Sequence, residues 1–535
     1  MRARALLVAV AVGATLASGG SQPYRGGVRL LGPTPPATRL VFALSLRLDE
    51  RLLARDLEDG RPPAPGAAAL GARYGLPLAD VRRVVRVLRA HGIEVRATFP
   101  QRTEIDARAS VGTLGRFFGV SFRDHVDPSG LVYHAPAGTP RIPRELRPFV
   151  TGVVGLSTRP VALPADLPHQ TLRSDDAALA YDVAPLRAQG IDGSGLKIAI
   201  VSLERFPPDQ KQTRDDVSTF RSAFKANGPA PADVKVDGGG SSSDLSEDNL
   251  DLDVVSAIAP GAQIVNYEAP MTAAGEAHVF ARLVADGVPV ATFSWGVCDR
   301  GLPASFRQAV ENELKLAVRQ GTTLFVASGD SGSYDCQRSD FADHSLSVDF
   351  PADLPEAVAV GGTLLSVAAD GSYFGEAGWE DPLSNAGGGG GVNTHEPAPS
   401  WQTALGVGHG HRGVPDVAAA ASPASGWLVR DSGGWSSFGG TSAASPFWAA
   451  SMLLAEQYAA KQGVTRRCFL APLLYQLAAP GQPYPAFHDV RLGGNRYYDA
   501  GQGWDYATGL GSPDVYNLAR DLTAYLRIHP CGPAS

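Results

Sequence analysis

Cysteine is scarce in this chain: Cys298, Cys336, Cys468 and Cys531 are the only four in 535 residues. None stands in the paired Cys/His spacing of a zinc site, which excludes a zinc finger. Four thiols allow two disulfides in three connectivities, of which Cys298 with Cys336 is the pairing we favour. An excess of basic charge is missing too. Lysine and arginine number 47 against 54 acidic residues, a formal net charge of -7, so there is no electrostatic footprint for nucleic acid. No apolar run is long enough to span a bilayer. The histidines offer no recognisable triad motif: His278 falls in a helical stretch and His395 in a loop. There is no internal repeat, and the one biased tract is the glycine run Gly387 to Gly391.

What is present begins with a leader. Arg2 and Arg4 precede an apolar run from Ala5 to Ala17 and the small residues Ser18, Gly19 and Gly20. That order reads as a secretory signal over residues 1–20, and export permits disulfides. The length asks for two domains or more.

A strand is expected from Val41 to Leu48, with Phe42, Leu44, Leu46 and Leu48 on one face. A helix follows in which Val81, Val84, Val85 and Leu88 fall at i, i+3, i+4 and i+7 and the arginines take the wet face. Strands at 93–98 and 104–109, a helix capped by Ser110, and a hairpin around Asp127 to Gly130 complete two β-α-β units. The pattern indicates a small ferredoxin-like α+β domain over residues 38–160. From Pro160 the composition turns to Pro, Ala and Leu without period, an exposed linker over 161–180 open to proteolysis. Beyond it, near-continuous apolar strands at 196–203, 263–267, 290–294, 322–328 and 357–360 have helical stretches between the first four. They imply a doubly wound parallel α/β domain over 181–535.

The chemistry centres on GGTSAASP, Gly439 to Pro446. An apolar, glycine-free run follows it, so Ser442 sits at a helix N-terminus, where the dipole favours a developing oxyanion. Taken alone, the octapeptide fits a Ser/Thr helix cap equally well. Glu247 and Asp251 share a helix face one turn apart, a spacing at which two buried carboxyls share a proton and one becomes a base. The competing reading is a solvated acidic first turn. Asp330 follows an apolar strand, where a doubly wound fold opens its ligand crevice, although a loop aspartate is commonly a turn former. In FHDVRLGGNRYYDAGQGWDYATGLGSP, Asp489 and Asp505 bracket a glycine-rich loop that reads as surface loop, or as an oxygen-rich cation site.

Taken together, Glu247 and Asp251 before AIAPGA, Trp295 in FSWG, Asp330 in ASGDSGS, FPADLPEAVAVGGT, RGVPDVAA, and Ser442 in GGTSAASP resemble the sedolisin family of serine-carboxyl peptidases in order and wording. The first domain resembles the activation pro-domain of kumamolisin-type members. The resemblance implies a subtilisin-like catalytic domain, with Ser442 as nucleophile, Glu247 as general base, Asp251 as its orienting partner and Asp330 as oxyanion stabiliser. It also implies one structural calcium held by Asp489, Asp505 and the carbonyls of Val490, Gly501 and Gly503. The supporting glutamate of some members has no clear counterpart; Glu204 is near but offset. The expectation is a secreted, self-processing acid endopeptidase acting on protein or peptide substrates, inhibited by its own pro-domain, with a monomer as the default. A tripeptidyl exopeptidase, a catalytically silent binding scaffold and a histidine-dependent hydrolase are the alternatives.

Overall fold

The computed structural model describes residues 29–529 apart from 60, 127–131, 160–162, 165–166, 169–170, 204–210, 241–245 and 466. The expected leader, the expected hairpin turn at 127–130, Glu204 and Cys531 lie outside the described residues. Strand β1 (Arg39–Leu46) starts and ends two residues earlier than the alternation suggests. Phe42, Leu44 and Leu46 pack under α1 (Leu78–Ala90), while Leu48 belongs to a separate cluster with Leu53, Leu70 and Tyr74. Strands β2 (Glu94–Thr98) and β3 (Glu104–Ser110) follow, then α2 (Val111–Phe118), whose first turn is capped by Ser110 Oγ accepting from the Thr113 N–H at 3.2 Å. With β4 (Val150–Val154) the antiparallel sheet runs β2-β3-β1-β4, the ferredoxin-like order.

The second face of this sheet is not solvated. Ala43 and Val154 join a core with Phe280, Leu283 and Phe306 of the following domain. A glycine, Gly155, sits where an added Cβ would lie 2.3 Å from the Ala274 Cβ, so the two domains meet backbone to side chain. The described parts of the linker are paired, where its composition suggests an exposed segment. Leu163–Pro164, Leu167–Pro168 and Thr171–Leu172 each pair with strands of the second domain. Just after it, Tyr181 is anchored: its hydroxyl and that of Thr363 each donate to the buried Glu376 at 2.5 Å.

The second domain is built on a parallel sheet. Its members are β5 (Lys197–Ser202), β6 (Ala232–Lys235), β7 (Gln263–Glu268), β8 (Val290–Phe293), β10 (Thr323–Ala327) and β11 (Ala357–Val367), with helices α3 (Ser246–Ile258), α4 (Ala273–Asp286) and α5 (Ala304–Arg319) between them and a short strand β9 (Trp295–Cys298) after β8. The order is β6-β7-β5-β8-β10-β11, extended by the antiparallel β12 (Tyr373–Gly378) and by β13 (Val417–Ala420), which pairs parallel with the middle of β11. The hairpin β14 (Gly426–Asp431) and β15 (Gly434–Gly439) leads into the buried helix α6 (Thr441–Lys461), which packs across β8, β10 and β13 and against α3. His395 lies in a strand, Gly391–Pro397, rather than in a loop. Cys298 and Cys336 form the expected disulfide, and no described cysteine is free. Among the described residues no helix is long and apolar enough to cross a membrane.

Candidate active site

Helix α6 starts abruptly because Gly440, at φ 117°, turns the chain through a conformation closed to other residues. Ser442 is therefore the second residue of the helix, and it is fully buried. Four residues on, Pro446 has no N–H, so the Ser442 carbonyl gets no helical partner. Ser294 takes its place. Its hydroxyl lies 3.3 Å from that carbonyl and donates to Asp251 Oδ1 at 2.8 Å. In return the Ser442 hydroxyl donates to the Ser294 carbonyl at 3.3 Å. Ser294 thus joins the helix of the serine to the helix of the acids.

Glu247 and Asp251 do share one face of α3, and both are buried, which removes the reading of a solvated first turn. Burial is the largest influence on Asp251 and drives its pKa well above the ordinary carboxyl range; the Ser294 hydrogen bond opposes the rise and the charge of Asp248 adds to it. Asp248 itself is pushed up to about 7, mainly by burial.

Asp330 follows β10 and is held by the start of α6. Its Oδ1 accepts from the Thr441 N–H at 2.8 Å and from the Thr441 hydroxyl at 2.9 Å. The Gly329 N–H donates to the same hydroxyl oxygen at 3.1 Å. A carboxyl at the first turn of a helix is thereby fixed beside the serine, rather than serving as a turn former.

The linker crosses this region. Leu163 and Pro164 pair antiparallel with Gly296 and Trp295 on one side, and Leu167 and Pro168 pair antiparallel with Gly439 and Phe438 on the other. Ser442 lies three residues beyond Gly439 and touches Ser294, the neighbour of Trp295. An extended peptide backbone is bound on both flanks of the serine.

The residues expected to hold calcium also come together. The Gly503 N–H donates to Asp489 Oδ1 at 3.0 Å and the Gly501 N–H to Asp505 Oδ2 at 2.8 Å, so one loop closes onto both aspartates. Asp489 is paired with the half-exposed Arg491 at 2.7 Å. Burial raises the Asp505 pKa against the N–H donors of Gly501, Thr508 and Ala507.

Two residues of the site carry no sequence signal of their own. Ser294 is a serine at the end of an apolar strand, and Thr441 is the residue before the serine in a small-residue turn; each becomes visible only when β8, β10 and α6 are brought together.

Residues 236–483 match the subtilase family model, and residues 67–159 match the pro-kumamolisin activation domain. The chain is 35% identical over 491 residues to kumamolisin of Bacillus sp. strain MN-32, covering 85% of each chain. It is 29% identical over 493 residues to sedolisin of Pseudomonas sp. strain 101, covering 85% of this chain and 80% of that one. The solved structure of Pseudomonas sedolisin, a serine-carboxyl proteinase complexed with two molecules of pseudo-iodotyrostatin, matches with a TM-score of 0.58 at 28% identity, over 68% of this chain and 99% of that chain. Likeness over most of both sequences, with an activation domain ahead of a subtilisin-like α/β domain, makes this chain a member of the kumamolisin and sedolisin family of serine-carboxyl peptidases.

Proposed function

We propose that the chain is a secreted endopeptidase of acidic conditions, made as a zymogen that cuts its own linker between residues 160 and 180. The observation that carries this reading is the antiparallel pairing of linker backbone on both flanks of Ser442. In the reaction, the Ser442 hydroxyl adds to the peptide carbonyl and passes its proton to the Glu247 carboxylate. Protonated Asp251, oriented by the Ser294 hydroxyl, hydrogen-bonds to Glu247 and sets its direction. Oδ1 of Asp330 is engaged by Thr441, which makes Oδ2 the oxygen that carries a proton to the developing oxyanion, together with a backbone N–H. Glu247 then returns its proton to the leaving amine, and water releases the acyl group from Ser442 by the same steps in reverse. A carboxyl that must be protonated to donate makes activity rise as pH falls, opposite to a histidine base.

Asp489 and Asp505, with the carbonyls of Val490, Gly501 and Gly503, offer oxygen atoms only, as a hard cation such as calcium prefers. They would hold such an ion as a clasp on the C-terminal loop, with Arg491 swung away from Asp489. The deciding experiment is self-processing: the purified precursor should shed its N-terminal domain in acid, and the Ser442→Ala protein should stay whole.

A further inference from the structure

One wall of the peptide-binding cleft carries a charge cluster that the reaction does not use. Asp349 pairs with Cys298 at the end of β9, and its carboxyl lies directly behind Gly296, where an added Cβ would be 1.7 Å from Oδ1. Gly329, next to Asp330, is backed by the same group: a Cβ there would meet Asp335 Oδ1 at 2.6 Å and Asp349 Oδ2 at 2.9 Å. Only glycine at both positions leaves these two carboxyls facing the cleft edge where the linker pairs. Between them lies Arg338, with Nη1 2.6 Å from Asp349 Oδ2 and 3.7 Å from Asp335 Oδ1. The Cys298–Cys336 disulfide pins the turn that carries Asp335 and Arg338 to the strand that binds the linker.

Resting on the peptidase reading above, we infer that Arg338 sets the charge preference of the subsite between Gly296 and Gly329: it leaves the Asp335 and Asp349 wall with a positive charge, so the enzyme favours substrates with an acidic side chain there and rejects lysine and arginine. Without Arg338 the wall would hold only two carboxyls, which are neutral in acid and would not distinguish an acidic from a basic side chain. With it, the wall is positive in acid. Burial raises the Asp349 pKa well above the carboxyl range and that of Asp335 to about 6, so both are protonated while Arg338 keeps its charge. Burial works against that charge, but Asp349, Asp335, Asp330 and Glu247 outweigh it. The sequence of the chain's own occupant agrees independently. The stretch 161–168 contains one acidic residue, Asp166, and no basic one.

The test uses acid-activated full-length protein and quenched peptides built on the sequence of residues 161–170, with Glu, Gln or Lys placed in turn at each position from 163 to 166. At one of these positions the wild type should favour Glu over Lys by about tenfold in kcat/KM. Arg338→Gln should bring that ratio close to one, because the carboxyls it leaves behind are protonated in acid, and Arg338→Lys should keep it. A wild type that favours Glu over Lys at none of these positions overturns the proposal whatever the variants do, as does an Arg338→Gln enzyme with the wild-type ratio. A wild type that cleaves none of the peptides nor its own linker brings down the peptidase reading, and the subsite goes with it.

Discussion

Thr441 holds Asp330 by two donors at once, its backbone N–H at 2.8 Å and its hydroxyl at 2.9 Å, both to the same oxygen, Oδ1. The N–H is fixed by the helix start, whereas the hydroxyl can be removed, at the cost of also freeing the Gly329 N–H that donates to it. Thr441→Val should therefore loosen Asp330 without unfolding α6. We expect kcat to fall about tenfold to a hundredfold with KM little changed, and Thr441→Ser to recover most of the loss, as measured on a denatured protein substrate in acid.

Ser294 should matter to both stability and rate. Its hydroxyl is the donor to buried Asp251, and Ser294→Ala leaves that carboxyl short of a partner at a cost of about 1–3 kcal/mol in unfolding free energy. If Asp251 orients the base as proposed, kcat should drop by more than the melting temperature suggests. Activity that is unchanged in a Ser294→Ala protein with a lowered melting temperature would assign Ser294 a packing role alone.

Much of this was legible in the residues. The i, i+4 spacing put Glu247 and Asp251 on one helix face, which the fold buries, and the strand-end position of Asp330 and the glycine turn before Ser442 put both residues where β10 meets the start of α6. The ferredoxin-like unit followed from two β-α-β patterns. The rest depends on contacts between distant segments. In VFALSLRL the alternation assigns only the face with Phe42, Leu44, Leu46 and Leu48; the opposite face, with Ala43, packs on α4 and α5, because small side chains let a sheet approach helices closely. The linker pairs only two residues at a time, too few to leave a periodic trace.

The interface between the two domains should be pH-sensitive in a definite direction. His278 on α4 is faced by Glu104 and Asp106 of β3, Asp237, and Phe99, with Arg96 of β2 pairing with Asp237 and Asp106. Burial lifts Glu104 to about 7, Asp106 to about 6 and the neighbouring Glu313 to about 8. Burial also disfavours charge on His278, but Glu104, Asp237 and Asp106 outweigh it and raise it to about 9. All four bind protons more tightly in the assembled zymogen than apart, so their stabilisation is fully present below about pH 4 and is lost progressively as pH rises to about 9. Asp237 runs the other way: burial is outweighed by His278 and Arg96, which lower its pKa and help only above the ordinary aspartate range. The Ser442→Ala precursor should therefore melt at a higher temperature at pH 5 than at pH 9. Glu104→Gln should flatten that slope.

Calcium should act on stability more than on chemistry. If Asp489 and Asp505 hold the ion, chelator should lower the melting temperature in proportion to the logarithm of free calcium, by mass action on the folded state. Asp505→Asn should abolish that dependence. A melting temperature indifferent to calcium in the wild type would leave Asp489 and Asp505 as loop-closing acceptors only.

The central claim is that Ser442, Glu247, Asp251 and Asp330 together cut the chain's own linker in acid. Its most direct test is to move the purified precursor from neutral to acidic pH, with calcium and no added protease, and to follow intact mass and hydrolysis of a denatured protein. The N-terminal domain should be released by cleavage between residues 160 and 180 as proteolysis appears, with Ser442→Ala and Glu247→Gln remaining whole and silent. A folded wild type that stays intact in acid, or a Ser442→Ala protein that processes itself as the wild type does, would contradict it.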